Sequence, residues 1–308
     1  MENLSIIKPW YQDAVINNIA MPTRRGGKDS SEYRWNFFIK PFIEDDGRCR
    51  RFIELGSNAG FYLRKASNLN FETIGVENDP LYVSQAHYWE EKEPLGTKTI
   101  ALDLNEFVIP AAHTVLLANI IYYLNPGQVL SLVNILEKRV LNVIVLSRHN
   151  RISRIKYPCE KKKIFQYFSG WNIIDSKEDK KHWSVLFKNP KIIEADIHEL
   201  VIYNTKNLKK GELFESSFSE MVKLMDSGKP FDITKSAYYN YFIGMPHFKR
   251  MKYIERAFNL FDSVKKNGVL KPLIIKKHIN DYYRVWDGDH RFIICKYLGI
   301  DKIICLIL

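Results

Sequence analysis

The sequence predicts two α/β domains in one chain: a doubly wound, mainly parallel sheet first, and a smaller α+β fold after it. At 308 residues the chain is long enough for two ordinary domains. From about residue 50, short apolar runs alternate with stretches of helical length, as in buried parallel strands joined by crossover helices. The pattern changes after Pro190, and no internal repeat relates the halves. We expect an N-terminal segment at 1–48, a first domain at 49–190 and a second at 195–308.

The strands of the first domain are predicted from its apolar runs, which lie at 52–55, 73–76, 114–117 and 143–146. A further strand at 99–102 ends just before Asp103. Residues 171–174 and 182–187 would add the last two strands as an antiparallel pair. Before the sheet, Trp10-Tyr11 and an amphipathic stretch at 33–43 predict a lid followed by a helix.

The second domain shows a different succession of patterns. A strand-like run at 199–203 precedes a helical middle that extends from about 217 to 266. A compact end follows, and its predicted elements are strands at 268–275 and 282–286 around a turn at 279–281, a helix at 292–298 and a strand at 303–306.

Composition limits the class of protein. The chain is 46% hydrophobic and 26% charged, which is typical of globular proteins, and its formal net charge is +11. This charge points to an anionic partner such as nucleic acid, a phosphorylated glycan or an anionic membrane surface; the alternative is lysines spread over solvated faces. The four cysteines form no CxxC pair, so we expect reduced thiols and no metal site. Without a membrane-spanning run or a signal peptide, we expect a cytoplasmic protein.

A glycine-containing turn follows the first strand of the sheet. Gly56 and Gly60 allow the backbone to turn sharply and to approach a ligand closely. The next strand ends in Glu77, about twenty residues beyond the turn, where a carboxylate can accept hydrogen bonds from both ribose hydroxyls. Asp103 ends the third strand. Three such strand ends in order predict a nucleotide-type cofactor site.

These residues resemble the class I S-adenosylmethionine (SAM)-dependent methyltransferases, whose first motif is an acidic strand followed by GxGxG. Here the motif reads Glu54-Leu55-Gly56-Ser57-Asn58-Ala59-Gly60, with Asn58 in place of the middle glycine. The resemblance covers residues 50 to about 150 and implies a Rossmann-like fold with SAM as cofactor. It places the methionine part of SAM at the glycine turn, the ribose at Glu77 and the adenine edge at Asp103 and Leu104. The implied cofactor-binding set is Glu54, Gly56, Ser57, Asn58, Gly60, Glu77, Asn78, Asp103, Leu104 and Asn119.

Two alternatives remain open for this domain. A dinucleotide-dependent dehydrogenase would show a similar acidic residue at Glu77. The fold could also be a scaffold whose altered turn at Asn58 no longer holds the cofactor.

A narrower likeness concerns methyltransferases related to the tRNA wobble-uridine carboxymethylating enzymes. It rests on Trp10-Tyr11 and on the segment Ile121-Tyr122-Tyr123-Leu124-Asn125-Pro126, in which Tyr123 replaces that group's histidine. Such enzymes raise the alternative of a carboxylated SAM, which would call for an arginine near the methionine end. Arg24, Arg25 and Arg34 are the candidates.

Catalysis of methyl transfer depends mainly on holding the acceptor in line with the sulfonium. Tyr122 and Tyr123 are the candidate catalytic residues of the first domain, with Arg148 and His149 after the fifth strand as further candidates. For each tyrosine the alternative is a packing role. No Asn-Pro-Pro-Tyr motif is present, so we expect an oxygen acceptor.

The C-terminal domain contains Asp287-Gly288-Asp289-His290-Arg291 between a strand and a helix. This box resembles that of the ParB and sulfiredoxin superfamily, most sharply over 262–308. Backbone amides at the helix start, with His290 and Arg291, would bind a nucleotide phosphate. Members of this superfamily use the box for nucleotides in different ways: as CTP switches of partition proteins, as a sulfinic-acid reductase and as kinases of small hydroxyl substrates. An ATP-dependent kinase would use Asp287 or Asp289 as base or as ligand of Mg²⁺. The alternative is a tight turn with Arg291 as a structural anchor. The box holds no cysteine and no helix-turn-helix follows, so we expect neither a sulfinic-acid reductase nor a DNA-segregation protein.

Two hypotheses combine the domains. In the first, one chain phosphorylates a hydroxyl and methylates the same molecule, a glycan or another hydroxyl or phosphate acceptor. In the second, an RNA methyltransferase carries a nucleotide-sensing or RNA-binding accessory domain, and its tRNA binding would be salt-sensitive.

Overall fold

The computed structural model describes residues 9–23, 30–43, 50–149, 157, 160–201, 208–229, 231–277 and 283–308. The chain forms two compact units, Met1–Pro190 and Lys191–Leu308. The N-terminal segment therefore belongs to the first unit, where the sequence had set it apart.

The first unit is built on a seven-stranded sheet, and the predicted doubly wound α/β fold is confirmed. Its strands are β3 (Arg50–Leu55), β4 (Phe71–Glu77), β5 (Lys98–Ala101), β6 (Ala112–Ala118), β7 (Val140–Arg148), β8 (Asn172–Glu178) and β9 (His182–Lys188). They lie in the order β5-β4-β3-β6-β7-β9-β8. The neighbours from β5 to β7 are parallel, and β9 runs antiparallel to both β7 and β8. The predicted antiparallel end of the sheet is therefore present.

Helices cover both faces of this sheet. They are α2 (Phe61–Ser67), α3 (Pro80–Lys92), α4 (Pro126–Leu136) and α5 (Lys161–Tyr167). The central strands are apolar on both sides, and two separate hydrophobic clusters form, one on each face, around Val115 and Val145 and around Leu116 and Ile144. Parallel strands buried on both faces read as continuous apolar runs, which is why the sequence revealed them.

The N-terminal segment packs onto the second of these clusters. It contains the hairpin of β1 (Val15–Ile16) and β2 (Ile19–Ala20), then α1 (Ser31–Arg34), a π-helix at Trp35–Ile39 and a 3₁₀ turn at Lys40–Phe42. The single helix predicted at 33–43 is thus three short pieces. The wide π turn directs Trp35, Phe38 and Ile39 into the core, and Pro41, which lacks an N–H donor, is the second residue of the 3₁₀ turn.

The second unit is a five-stranded sheet with helices. Its strands are β10 (Ile192–Asp196), β11 (Leu200–Val201), β12 (Leu273–Lys277), β13 (Tyr283–Asp287) and β14 (Lys302–Ile307), in the order β10-β14-β12-β13-β11. Its helices are α6 (Leu208–Asp226), α7 (Ala237–Tyr241), α8 (His247–Asn267) and α9 (Asp289–Tyr297). The predicted strands and helices are present, whereas β10 was not predicted and α9 begins three residues before the expected helix. The predicted turn at 279–281 lies outside the described residues.

Two cysteines lie among the described residues of the second unit. Cys295 and Cys305 are buried and free, and burial raises the pKa of each thiol to about 12. Cys49 and Cys159 lie outside the described residues. Among the residues with described structure, no helix combines the length and the apolar character that crossing a bilayer requires.

Candidate functional site

A cleft of about 460 Å³ opens at the carboxyl ends of β3, β4 and β6 in the first unit. This edge is where ligands of open α/β sheets bind. Its lining includes most of the residues predicted for the cofactor and for catalysis, namely Glu54, Gly56, Asn58, Glu77, Asn78, Asp103, Leu104, Asn119, Tyr122 and Tyr123. Ser57 and Gly60 do not line the cleft; they belong to the turn beside it. Most of the sequence-predicted residues of the first domain therefore lie together at this cleft.

The backbone conformation of the turn between β3 and α2 explains why glycine and asparagine occupy it. Gly56, Asn58 and Gly60 all have positive φ angles, of 73°, 53° and 80°. Asparagine is one of the few non-glycine residues that adopt this left-handed conformation readily. Asn58 therefore occupies a left-handed position of the kind that glycine also adopts, and its Oδ1 accepts a hydrogen bond from the Ala59 amide at 2.9 Å.

Glu77 is held by the backbone around it. Its carboxylate accepts hydrogen bonds from the amides of Asn58, Asn78 and Asp79, each at 2.9 Å. Three donors fix the carboxylate at the end of β4 and tie the glycine turn to the next strand. A carboxylate has about four lone-pair sites, so this group retains capacity to accept a hydroxyl of a ligand.

Glu54 forms a buried acidic wall of the cleft. It is 1% exposed, and neither of its carboxylate oxygens accepts a hydrogen bond from the residues that the structure describes. Burial, followed by the charge of Glu77, raises the pKa of Glu54 well above its usual range, while Arg34 opposes this shift. The Oδ1 atom of Asn119 is also buried without a described partner. Glu54 and Asn119 thus line the cleft with buried oxygen atoms that have no hydrogen-bond partner among the described residues.

The N-terminal segment contributes residues that the cofactor motif does not contain. Gln12 lines the cleft, and its Oε1 accepts a hydrogen bond from the Phe61 amide at the start of α2, at 3.0 Å. Arg34 of this segment and Tyr62 of α2 also line the cleft. Arg34 is 2% exposed, and burial raises the pKa of Tyr62 to about 12. Of the three arginines considered for a carboxylated cofactor, Arg34 lies at the cleft, and Arg24 and Arg25 fall outside the described residues.

The remaining candidates of the first unit separate into two groups. Tyr122 is buried and Tyr123 is 52% exposed, and their ring centroids are 4.8 Å apart in the cleft lining. Arg148 and His149 are not part of that lining, and the His149 Nε2 atom lies 3.2 Å from Glu178 Oε1. The tyrosines are therefore the candidates that could contact an acceptor in the cleft.

Arg291 of the second unit is occupied by contacts within that unit. Its guanidinium donates hydrogen bonds to the carbonyl oxygens of Lys271 and Pro272, at 2.7 and 2.9 Å, and to Asp287 Oδ2 at 3.2 Å. Gly288, with φ of 108°, makes the turn into α9. This geometry favours the structural-anchor alternative for Arg291, because a phosphate would have to share the guanidinium with these acceptors.

The pKa values of Asp289 and His290 are both shifted strongly from their usual ranges. Burial, with the charge of Asp287, raises the pKa of Asp289 to about 6, and burial lowers the pKa of His290 to about 4. The His290 ring lies among Phe214, Phe218 and Tyr238, and its Nε2 is 2.5 Å from the Tyr238 hydroxyl. His290 is therefore uncharged near neutral pH and does not offer a cation to a phosphate. Within the described residues, no group of three or more His, Cys, Asp or Glu side chains is arranged to hold a metal ion.

Comparison with known families finds a match in the C-terminal part of the chain. Residues 246–308 match the model of the ParB N-terminal domain, which confirms the predicted likeness to ParB proteins. No curated protein matches the chain.

Several solved structures are similar to part of the chain. A protein from Pyrococcus horikoshii OT3 aligns with a TM-score of 0.45 and 9% identity, over 52% of this chain and 92% of that one. A SAM-dependent methyltransferase from Aquifex aeolicus aligns with a TM-score of 0.42 and 14% identity, over 51% and 92%. The N-terminal domain of EvdMO1, solved with SAH bound, aligns with a TM-score of 0.44 and 10% identity, over 59% and 91%. The narrower likeness to the tRNA wobble-uridine enzymes stays a prediction.

Proposed function

We propose that the first unit binds SAM in the cleft at β3, β4 and β6 and is a methyltransferase. The observation that carries this proposal is the set of polar groups directed into one cleft: the Glu77 carboxylate held by three backbone amides, and the unsatisfied acceptors of Glu54 and Asn119. Glu77 would receive the ribose hydroxyls. Glu54 would face the methionine ammonium, and Asp103 with Leu104 the adenine. SAM, when bound, supplies a methyl group on a sulfonium.

The charge of the cleft supports SAM over a dinucleotide. Its lining contains the acids Glu77, Asp79 and Asp103 against the single arginine Arg34, and the buried Glu54 carboxyl, whose ionised form a cation would favour. A pyrophosphate would meet mainly like charge there, and the Phe61 amide at the start of α2 is already bonded to Gln12. A ligand with a sulfonium and an ammonium is attracted by the same groups. The dehydrogenase alternative is therefore disfavoured.

The acceptor we propose is an oxygen nucleophile, on a glycan or on another hydroxyl or phosphate compound. Tyr122 and Tyr123 lie in the cleft lining, and the exposed position of Tyr123 suits contact with such a molecule. An acceptor that is already an anion would need only to be positioned, and a neutral hydroxyl would need a base. RNA is the alternative acceptor, with the basic net charge of +11 as its support.

Kinase activity in the second unit stays a prediction of the sequence resemblance. Asp289, with its pKa raised to about 6, would be the base. Arg291 and His290 give it little support as phosphate ligands, since one is engaged with backbone carbonyls and the other is uncharged.

The test is isothermal calorimetry of the full chain with SAM and, separately, with NAD. We expect SAM to bind and NAD not to bind. Glu77→Ala should weaken SAM binding at least about tenfold, because it removes hydrogen bonds to a charged acceptor. The matched control is Glu91→Ala, since Glu91 is an exposed acid on α3 outside the cleft lining.

Circular dichroism would show that each variant is folded. Absence of SAM binding by the folded wild type would refute the proposal. Binding of NAD in its place would revive the dehydrogenase alternative.

A further inference from the structure

A patch at the start of α8, in the second unit, exposes large apolar and basic side chains together. We call Ile243, Phe248, Lys249, Lys252 and Arg256 the α8 patch. Ile243 is 74% exposed and Phe248 is 68% exposed, which are among the highest values of the large hydrophobic residues described. They lie five residues apart, on the two sides of the turn that leads into the helix. Both therefore expose apolar surface to water within a few residues of each other.

One basic residue of the α8 patch, Lys249, lies in the first turn of the helix, where a cation stabilises a helix least. Pro246 caps α8 without a side-chain hydrogen bond, and the first turn contains no acidic residue. Lys249 and Arg250 lie at this end, next to the positive pole of the helix dipole, which disfavours cations. Lys249, Lys252 and Arg256 are exposed, and Glu255 is the exposed acid between them. An anionic surface docked here would relieve this local repulsion.

The aromatic rings nearby indicate which anionic surface fits. Tyr253 already stacks on Phe242, with ring centroids 5.1 Å apart. The Arg250 guanidinium lies 4.3 Å from the centre of the Tyr239 ring. Of the two exposed apolar side chains of the α8 patch, Phe248 has a ring and Ile243 has none. A single ring beside three cations gives no row of stacking positions for successive bases, which favours a lipid interface over nucleic acid.

We propose that the α8 patch binds an anionic lipid bilayer, with Ile243 and Phe248 entering the interface and Lys249, Lys252 and Arg256 contacting lipid phosphates. Apolar side chains flanked by Lys and Arg are the arrangement with which peripheral proteins lie on membranes. Each cation near an anionic leaflet adds to the attraction, which salt screens. Together, these side chains would place the second unit on a membrane surface.

Vesicle co-sedimentation of the full chain tests this. We expect binding to vesicles of equal parts phosphatidylcholine and phosphatidylserine, and little binding to phosphatidylcholine alone. The variant Lys249→Glu with Lys252→Glu should lower the affinity at least about fivefold for each cation replaced. Phe248→Ser with Ile243→Ser should lower it at least about tenfold.

Matched controls test whether vesicle binding depends on the α8 patch itself or only on net charge and exposed apolar surface in general. Lys138→Glu with Lys180→Glu changes two exposed lysines of the first unit, and Val108→Ser removes a side chain that is 71% exposed. These variants should bind vesicles as the wild type does. The proposal is overturned if the wild type binds neither vesicle at low salt, or if control and patch variants lose binding equally. It is also overturned if the patch variants lose affinity for tRNA while they keep vesicle binding, since the occupant would then be nucleic acid.

Discussion

Glu54 is the residue whose environment departs most from that of an ordinary surface carboxyl. It is buried, its oxygens have no partner among the described residues, and its pKa is raised chiefly by burial. A neutral carboxyl avoids the large cost of an unpaired buried charge. The same group would become a strong partner for a cation that enters the cleft, because opposite charges favour the ionised form. Cofactor binding and deprotonation of Glu54 are therefore expected to be linked.

This linkage predicts that SAM affinity depends on pH. In the free protein, Glu54 holds its proton up to its raised pKa, and the bound ammonium favours the ionised form. Affinity should therefore rise with pH until that pKa is passed and then level off. Glu54→Gln cannot ionise and should remove this slope and weaken binding. Calorimetry of the wild type and of Glu54→Gln over a series of pH values measures the slope of SAM affinity with pH.

The control for that series is Glu91→Gln, which changes an exposed acid outside the cleft lining and should keep the wild-type slope. Equal slopes in the wild type and in Glu54→Gln would contradict the linkage. The pH dependence of stability has the opposite sign to that of SAM affinity. Because the pKa of Glu54 is raised in the folded state, its contribution to the free energy of unfolding is lost as pH rises through that pKa.

Some residues of the cleft could be predicted from a local sequence pattern, and others could not. Glu77 and Asn58 were predictable because a strand end and a turn are local patterns. Gln12 was not predicted for the site, and Arg34 was considered only for a carboxylated cofactor, because the N-terminal segment reaches the cleft through packing that no local pattern relates to the turn. Tyr62, two residues beyond Gly60 in α2, was not predicted either. For Arg291, the sequence left phosphate binding and anchoring open, and only the carbonyl oxygens of Lys271 and Pro272 distinguish them.

At the scale of elements, the glycine turn is supported by the strand next to it. The amides of Gly56 and Ser57 both donate to the Val76 carbonyl oxygen, at 2.8 and 3.0 Å. Beneath the turn lies Gly75 of β4. A Cβ atom there would stand 2.5 Å from both Ser57 Oγ and Leu63 Cδ1 and 2.8 Å from Ser57 Cβ. Gly75 therefore allows the turn and α2 to lie directly on β4.

Gly75→Ala should destabilise the first unit by roughly 1–3 kcal/mol, the usual cost of overpacking. It should also weaken SAM binding, because the added methyl group displaces Ser57 and with it the turn. Urea unfolding and calorimetry would measure the two effects. Gly170→Ala is the matched control, since a Cβ there would meet only Glu137 Oε1, at 3.9 Å. A stable Gly75→Ala protein with wild-type affinity would show that the turn does not depend on this close contact.

The elements themselves were predictable to different degrees. The buried strands of the large sheet were found because their apolar runs are continuous. The five-residue strand β10 was missed; its interrupted burial gives a weak pattern. At 33–43 the amphipathic pattern is real, but packing of Trp35, Phe38 and Ile39 selects a π turn that periodicity does not reveal.

For the whole molecule, the two units hold different kinds of site. Every residue that lines the cleft belongs to the first unit. The DGDHR box and the α8 patch belong to the second. The length and the change of pattern after Pro190 predicted the two-part organisation, and composition gave the basic net charge, but charge alone did not locate a surface. The α8 patch emerges only when exposure is known for each residue.

This separation predicts where SAM will stabilise the chain. A ligand that binds only the folded state adds about 2.7 kcal/mol when its concentration is a hundred times its Kd. Amides of the first unit that exchange by unfolding of that unit should then exchange about a hundredfold more slowly. The slowing should be evident in β3, β4 and the turn that joins β3 to α2. Helices α8 and α9 should exchange as before, and hydrogen exchange of the full chain with and without SAM would measure both. Glu77→Ala is the control: with binding at least about tenfold weaker, the slowing at the same SAM concentration should fall from about a hundredfold to about tenfold or less. Equal slowing in α8 and α9 would contradict the assignment of the cofactor to the first unit alone, because a ligand stabilises only what unfolds together with its site.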